Sequence, residues 1–257
     1  MLTAERNLIL VSILVLAAAA WAVLALQSQR PMAMSLTGGM EALLFLAMWV
    51  TMMVAIMFPT AAPMVLTYAR IQAGKRQQGR AFVPTWVFTG SYLLVWSVLG
   101  VVAYAAAVAA EAAALQSMWL AENGGRFGGV LLVLAGLYQL SPLKTACLSK
   151  CRSPLSFIMG SWRDGYAGAF RMGLEHGWYC TGCCWLLFAI LFPLGVMNIV
   201  AMALLTALIF AEKSLPVGPR VAQGAAVALV VYGVLVVFVP ELLPAGTQPM
   251  GTADMAQ

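Results

Sequence analysis

Long apolar runs separated by short polar segments dominate the chain. A run of about 18 or more apolar residues predicts a membrane-spanning helix, because about 20 residues cross the hydrocarbon core. Backbone groups in lipid must also be paired internally, which favours helices. The pattern therefore predicts an all-α, polytopic membrane bundle of about seven transmembrane helices, at residues 7–26, 38–58, 83–106, 127–140, 172–192, 196–212 and 221–239.

The segments around these runs define the expected domain. The first apolar run is longer than the roughly 7–15 residues of a signal-peptide core, so we expect a retained anchor. Residues 1–244 are predicted to form a single transmembrane domain, and the polar stretch 245–257 a disordered tail. Residues 141–171 mix apolar and charged positions, which is typical of an interfacial helix or a re-entrant segment.

Two features at the ends of predicted spans are expected to affect the helices locally. Pro59 and Pro63 follow the second span and are expected to end or kink it. Glu212 and Lys213 close the sixth span, where long charged side chains usually extend to the membrane surface.

Composition and charge agree with a membrane chain and indicate its orientation. The chain is 63% hydrophobic and 9% charged, whereas soluble domains carry about 25% charged residues. With the N-terminus in the cytoplasm, 12 of the 14 Lys and Arg residues fall on the inner side, as the positive-inside bias requires. No basic patch interleaved with aromatic residues occurs, so we expect a lipid bilayer as the surroundings and no nucleic-acid partner.

The stretch HGWYCTGCC carries the only histidine and three of the five cysteines. On a helix, His176, Cys180, Cys183 and Cys184 recur at i, i+4, i+7 and i+8 and form one stripe. Imidazole and thiolate are good ligands for soft or borderline ions such as Cu(I) and Zn(II). A buried cysteine is otherwise a small apolar residue. Their concentration beside the only histidine favours a metal site.

A second pair of cysteines lies upstream, in CLSKC. Cys147 and Cys151 are one helical turn apart, on the same predicted side of the membrane as the start of the fifth span. Three cysteines and the histidine could therefore complete one site between the two segments. Cytoplasmic thiols are kept reduced, which favours metal binding over a disulfide relay.

Methionine supplies a third set of soft atoms in the second span, MWVTMMVAIMFPTAAPM. Thioether sulfur selects Cu(I) among biological ions, although methionine is also common core filler. The candidate ligands in this span are Met48, Met52 and Met57.

These blocks, with GLYQLSPLKTACLSKCRSP, SWRDGYAGAFRMGLEHGWYCTGCCW and GVMNIVAMALLTALIFAEK, resemble a bacterial family of predicted metal-binding integral membrane proteins, described as a domain of unknown function. The resemblance covers residues 39–239. Residue by residue, it implies the ligand set Met48, Met52, Met57, Cys147, Cys151, His176, Cys180, Cys183 and Cys184. It also implies a multi-pass protein of the bacterial inner membrane.

Together these observations predict a membrane protein that handles a metal, with copper as Cu(I) expected and zinc as the alternative. It would transport the ion or deliver it, with a metallochaperone or a cuproprotein as partner. We expect a transporter or assembly factor rather than an enzyme. The alternative hypothesis is a membrane thiol–disulfide oxidoreductase that uses the paired cysteines.

Overall fold

The computed structural model describes residues 3–29 and 36–244, and within these ranges every regular element is helical. This confirms the all-α prediction. The tail 245–257 and Arg30 lie outside the described residues. The helices are α1 (Thr3–Ser28), α2 (Ala42–Gln77), α3 (Thr85–Gln116), α4 (Met118–Glu122), α5 (Gly124–Gln139), α6 (Pro142–Arg152), α7 (Pro154–Ser161), α8 (Gly165–Ala189), α9 (Leu191–Leu194), α10 (Ile199–Ser214) and α11 (Gly218–Phe238), followed by a 3₁₀ turn at Pro240–Leu242.

Five helical stretches in the described part of the chain are long and apolar enough to cross a membrane: α1, α2, α3, α8 with α9, and α11. The pair α5 and α6, bent by 63° at its junction, makes six if it counts as one broken span. Helix α10 has 16 residues and is shorter than these. The polytopic membrane fold is therefore confirmed, with five or six such spans where about seven were predicted. The cytoplasmic N-terminus stays a prediction.

The second span does not end at its prolines. Helix α2 runs through Pro59 and Pro63 to Gln77, well past the predicted end at residue 58. Membrane helices tolerate proline because neighbouring helices and local adjustments of the helix pair the freed backbone groups. One continuous helix therefore presents all the methionines of the second span to the core.

The segment between the fourth and fifth spans forms two short helices, α6 and α7. Ser141 caps α6 by accepting a hydrogen bond from the Lys144 amide at 3.1 Å, and Pro142 occupies the first turn. The bend at this cap turns α6 away from α5 and lays it against α8. Gly165, with φ +78°, then begins α8 earlier than the predicted residue 172.

A buried ion pair fixes α6 over α10. The Lys144 ammonium lies 2.6 Å from the Glu212 carboxylate, with exposed fractions of 1% and 2%. Gln139 of α5 donates to the same carboxylate at 2.9 Å. Arg152 donates to the Leu215 carbonyl at 3.0 Å. The expectation that Glu212 extends to the membrane surface is therefore wrong: Lys144 from another helix reaches it inside the bundle.

Candidate metal centre

Three cysteines from two helices meet in the interior of the bundle. The Sγ atoms of Cys151, Cys180 and Cys183 all lie within 4.8 Å of one another. Cys180 and Cys183 are one turn apart on α8 and buried, and Cys151 reaches them from the last turn of α6, half-buried. The bend between α5 and α6 therefore brings together Cys151 and Cys180, which are separated by 28 residues of chain.

A thioether from a third helix adds to this cluster. The Sδ atom of Met57 lies 4.0 Å from the Cys180 Sγ atom. Met57 is fully buried on α2. The centre therefore offers three thiols and one thioether, from α6, α8 and α2. We call Cys151, Cys180, Cys183 and Met57 the cysteine centre.

Two polar groups contact the cysteine centre at Cys180. The Lys213 ammonium of α10 lies 3.0 Å from the Cys180 Sγ atom and 3.7 Å from the Met57 Sδ atom. The Tyr92 hydroxyl of α3 lies 3.1 Å from the same Cys180 sulfur. A buried thiolate is costly unless it is paired and hydrogen-bonded. Lys213 and Tyr92 supply both kinds of partner.

His176 is close to the cysteine centre but outside the three-sulfur group. It lies one turn before Cys180 on α8 and is 3% exposed. Its ring packs against Phe88, Tyr92 and Phe157, at centroid distances of 5.9, 5.3 and 5.4 Å. The Nδ1 atom has no hydrogen-bond partner among the described residues.

The two remaining cysteines also lie beside the cysteine centre. The Cys184 thiol is buried and donates to the Cys180 carbonyl at 2.8 Å. Cys147 is half-buried and packs over Gly182, where an added Cβ would lie 2.6 Å from the Cys147 Sγ atom. Glycine at position 182 therefore allows α6 to approach α8 this closely.

Met48 and Met52 lie elsewhere on α2. With Met40 and Met197 they line a small cavity toward the N-terminal end of that helix. Of the nine predicted ligands, the fold thus brings together Cys151, Cys180, Cys183 and Met57. Cys147, Cys184 and His176 lie beside these four residues, whereas Met48 and Met52 lie apart from them.

Comparison with known families identifies the chain's relatives. Residues 46–236 match the family described as PpoB2, copper chaperone. The chain belongs to the PpoB2 copper chaperone family. The matched region contains every residue of the cysteine centre, and it confirms the sequence resemblance as far as a copper-related family. No curated protein and no solved structure matches the chain.

In this PpoB2-family chain, sequence reasoning missed two contacts of the cysteine centre, Lys213 and Tyr92. Lys213 did carry a signal, because a charged residue in a membrane helix is by default a functional candidate. Its position next to Glu212 near a helix end suggested the membrane surface instead. Tyr92 carried no signal, since one tyrosine in an apolar helix is ordinary.

Proposed function

We propose that the chain is an integral membrane copper chaperone that takes up Cu(I) at the cysteine centre and delivers it to a cuproprotein. The observation that carries the proposal is the approach of three Sγ atoms to within 4.8 Å of one another, in a chain of a copper chaperone family. Thiolate and thioether ligands select Cu(I) among biological ions.

The donor set of the cysteine centre favours Cu(I) over Zn(II). Protein zinc sites are built from thiolate, imidazole and carboxylate ligands, usually four of them. The fourth sulfur here is a neutral thioether, Met57, and the buried carboxylate of Glu212 is engaged by Lys144. A soft ion with few ligands suits this set better than zinc does.

Charge balance supports the same choice. Two thiolates around one Cu(I) ion leave one net negative charge, which is costly inside an apolar bundle. The Lys213 ammonium, 3.0 Å from the Cys180 sulfur, supplies the compensating positive charge. The loaded centre would then be neutral overall.

Burial suggests the order in which the ligands act. Cys151 is half-buried, whereas Cys180 and Cys183 are 1% and 2% exposed. An ion held by Cys151 would therefore exchange onto the buried pair. In the predicted orientation Cys151 lies on the cytoplasmic side of the bundle.

The other predicted ligands take auxiliary roles in this proposal. Cys147 is half-buried on α6, one turn before Cys151, and suits a first contact for an incoming ion. Cys184 and His176 line the buried side of the cysteine centre. They would reach the ion only after their side chains rotate.

The test is copper content and affinity, measured on protein purified without oxygen in mild detergent. A competition titration with a coloured Cu(I) chelator would compare the wild type with the Cys180→Ser/Cys183→Ser variant. Even the loss of a residue that only supports metal ligands costs 10–100-fold in affinity, so we expect a fall of at least about a hundredfold. Cys184→Ser, a buried cysteine outside the three-sulfur group, is the matched control and should keep most of the affinity.

Three results would contradict the proposal. Stoichiometric zinc in place of copper would assign another metal to the cysteine centre. A metal-free protein with a Cys180–Cys183 disulfide would favour the thiol–disulfide oxidoreductase. Equal copper affinity in the wild type and the double variant would place the copper site elsewhere.

A further inference from the structure

The cavity near the N-terminal end of α2 has a lining that points to a ligand of its own. Four methionines, Met40, Met48, Met52 and Met197, line it together with Phe45, Trp49 and Val196. Met48 and Met52 are one turn apart on one face of α2, Met40 precedes the helix, and Met197 comes from the turn before α10. Three separate segments therefore contribute methionines to the lining of one small space.

Among the described residues that line this cavity, no other side-chain donor is free. Phe45 and Val196 have no polar side-chain atoms, and the Trp49 indole N–H already donates to the Trp96 carbonyl at 2.9 Å. The four sulfur atoms are thus the unengaged donor atoms that the lining side chains offer within the described part of the chain. Met40, Met48 and Met52 are at most 9% exposed, and Met197 is half-buried.

The size of the cavity limits what it holds. It has room for about one water molecule. An organic ligand does not fit, whereas a single ion does. A hard cation needs oxygen ligands, which these side chains do not provide, and thioether sulfur selects Cu(I).

We propose that Met40, Met48, Met52 and Met197 form a second Cu(I) site made of thioethers alone. The proposal rests on the proposed function, because the cysteine centre would supply the ion. Thioethers carry no charge and bind Cu(I) less tightly than thiolates, so this site holds the ion for release.

The two sites are separate, and α2 contributes residues to both. Met57 is nine residues beyond Met48 and lies on nearly the opposite face of α2, where it contacts Cys180. Trp49 precedes Met57 by eight residues on α2 and borders the cavity. Phe188 follows Cys180 by eight residues on α8 and packs against Trp49, with ring centroids 6.2 Å apart. Helix α8 therefore runs in the opposite direction to α2 where these side chains meet.

The axial distance between the sites is short. Met52 and Met57 are five residues apart, which is about 7.5 Å along a helix. Met53 lies between them and is fully buried. An ion leaving the cysteine centre would thus meet another thioether before it reaches the cavity.

Copper stoichiometry tests the second site. The full-length protein in detergent would be titrated anaerobically with Cu(I) against a coloured chelator. The wild type is expected to bind two equivalents, the second more weakly, and Met48→Leu/Met52→Leu only the tight one. Leucine and methionine have similar volumes, so the exchange should cost little stability. Met64→Leu/Met172→Leu, two buried methionines of a separate core cluster, is the control and should keep both equivalents.

The cysteine variant separates this proposal from the proposed function. Cys180→Ser/Cys183→Ser should lose the tight equivalent and keep the weak one. If it keeps both while the methionine variant loses one, the proposed function fails and the thioether site stands. One equivalent in the wild type, or two in Met48→Leu/Met52→Leu, would overturn the thioether site itself.

Discussion

Glu212 and Lys213 are neighbours in the chain, but their charged groups contact different kinds of partner. The Glu212 carboxylate is paired with Lys144 and accepts from Gln139, so its charge is matched by conventional polar partners. The Lys213 ammonium instead points at the sulfur atoms of Cys180 and Met57. We therefore expect the Glu212 charge to matter for the fold and the Lys213 charge for the proposed copper site.

The largest expected effect comes from breaking the structural pair. Lys144→Met leaves Glu212 as an uncompensated buried charge, which typically costs about 3–5 kcal/mol of stability. The thermal unfolding midpoint in detergent should therefore fall strongly. Lys150→Met changes an exposed lysine of the same helix and is the control.

A second variant sharpens this result. Adding Glu212→Leu to Lys144→Met removes the stranded charge and should recover part of the lost stability, because replacing both partners of a buried pair by apolar residues is often neutral. Wild-type stability in the Lys144→Met protein would refute a structural role for the pair.

Replacing the functional charge should affect copper more than stability. Lys213→Met removes the ammonium beside Cys180, and hydrogen bonds to charged groups are worth about 1.5–3 kcal/mol. At 1.4 kcal/mol per tenfold change, Cu(I) affinity should fall roughly 10- to 100-fold in a chelator competition. Lys213→Arg keeps the charge and should recover part of the affinity. Unchanged Cu(I) affinity in Lys213→Met would show that the Lys213 charge does not stabilise the bound ion.

Separating α6 from α8 tests the cysteine centre without altering any charge. Gly182→Ala places a Cβ 2.6 Å from the Cys147 sulfur, and such overpacking costs about 1–3 kcal/mol. Because Cys151 follows on the same helix, Cu(I) affinity should fall together with the unfolding midpoint. Gly224→Ala, a helical glycine with open space around it, should lower neither quantity. Full copper affinity in Gly182→Ala would show that the helix contact is dispensable.

The smallest effect is expected at a surface ion pair. Lys75 contacts the exposed Asp164, and this hydrogen bond holds the pKa of the Asp164 carboxyl below its usual value. A lowered folded-state pKa contributes stability above the ordinary Asp value of about 3.9, and the contribution is lost as the pH falls further. Asp164→Asn should therefore weaken the acid dependence of the unfolding midpoint slightly. An identical pH profile would show that the pair contributes nothing.

Much of the cysteine centre could be predicted from sequence because it follows helical periodicity. The three-residue spacing of Cys180 and Cys183 predicts that they share a face of one helix, whatever packs against that helix. The approach of Cys151 needed the bend at Ser141, for which a Ser-Pro pair is only a weak indication. The approach of Met57 to Cys180 depends on how α2 and α8 are placed relative to one another, which no local sequence pattern predicts.

The errors have the same physical origin. Proline usually ends or kinks a helix, but α2 continues past Pro59 and Pro63, as membrane helices can when packing satisfies the freed backbone groups. Glu212 looked like a surface residue because its partner, Lys144, lies 68 residues away in the chain. Local patterns describe elements, whereas partners of buried charges are decided by packing.

Copper K-edge X-ray absorption tests the cysteine centre most directly, on anaerobic Met48→Leu/Met52→Leu protein loaded with one equivalent of Cu(I). We expect a reduced copper ion whose nearest neighbours are all sulfur, and loss of this signal when Cys180→Ser/Cys183→Ser is added to that protein. Nitrogen or oxygen neighbours before the cysteines are replaced, or an unchanged sulfur signal afterwards, would contradict a copper site built on Cys151, Cys180, Cys183 and Met57.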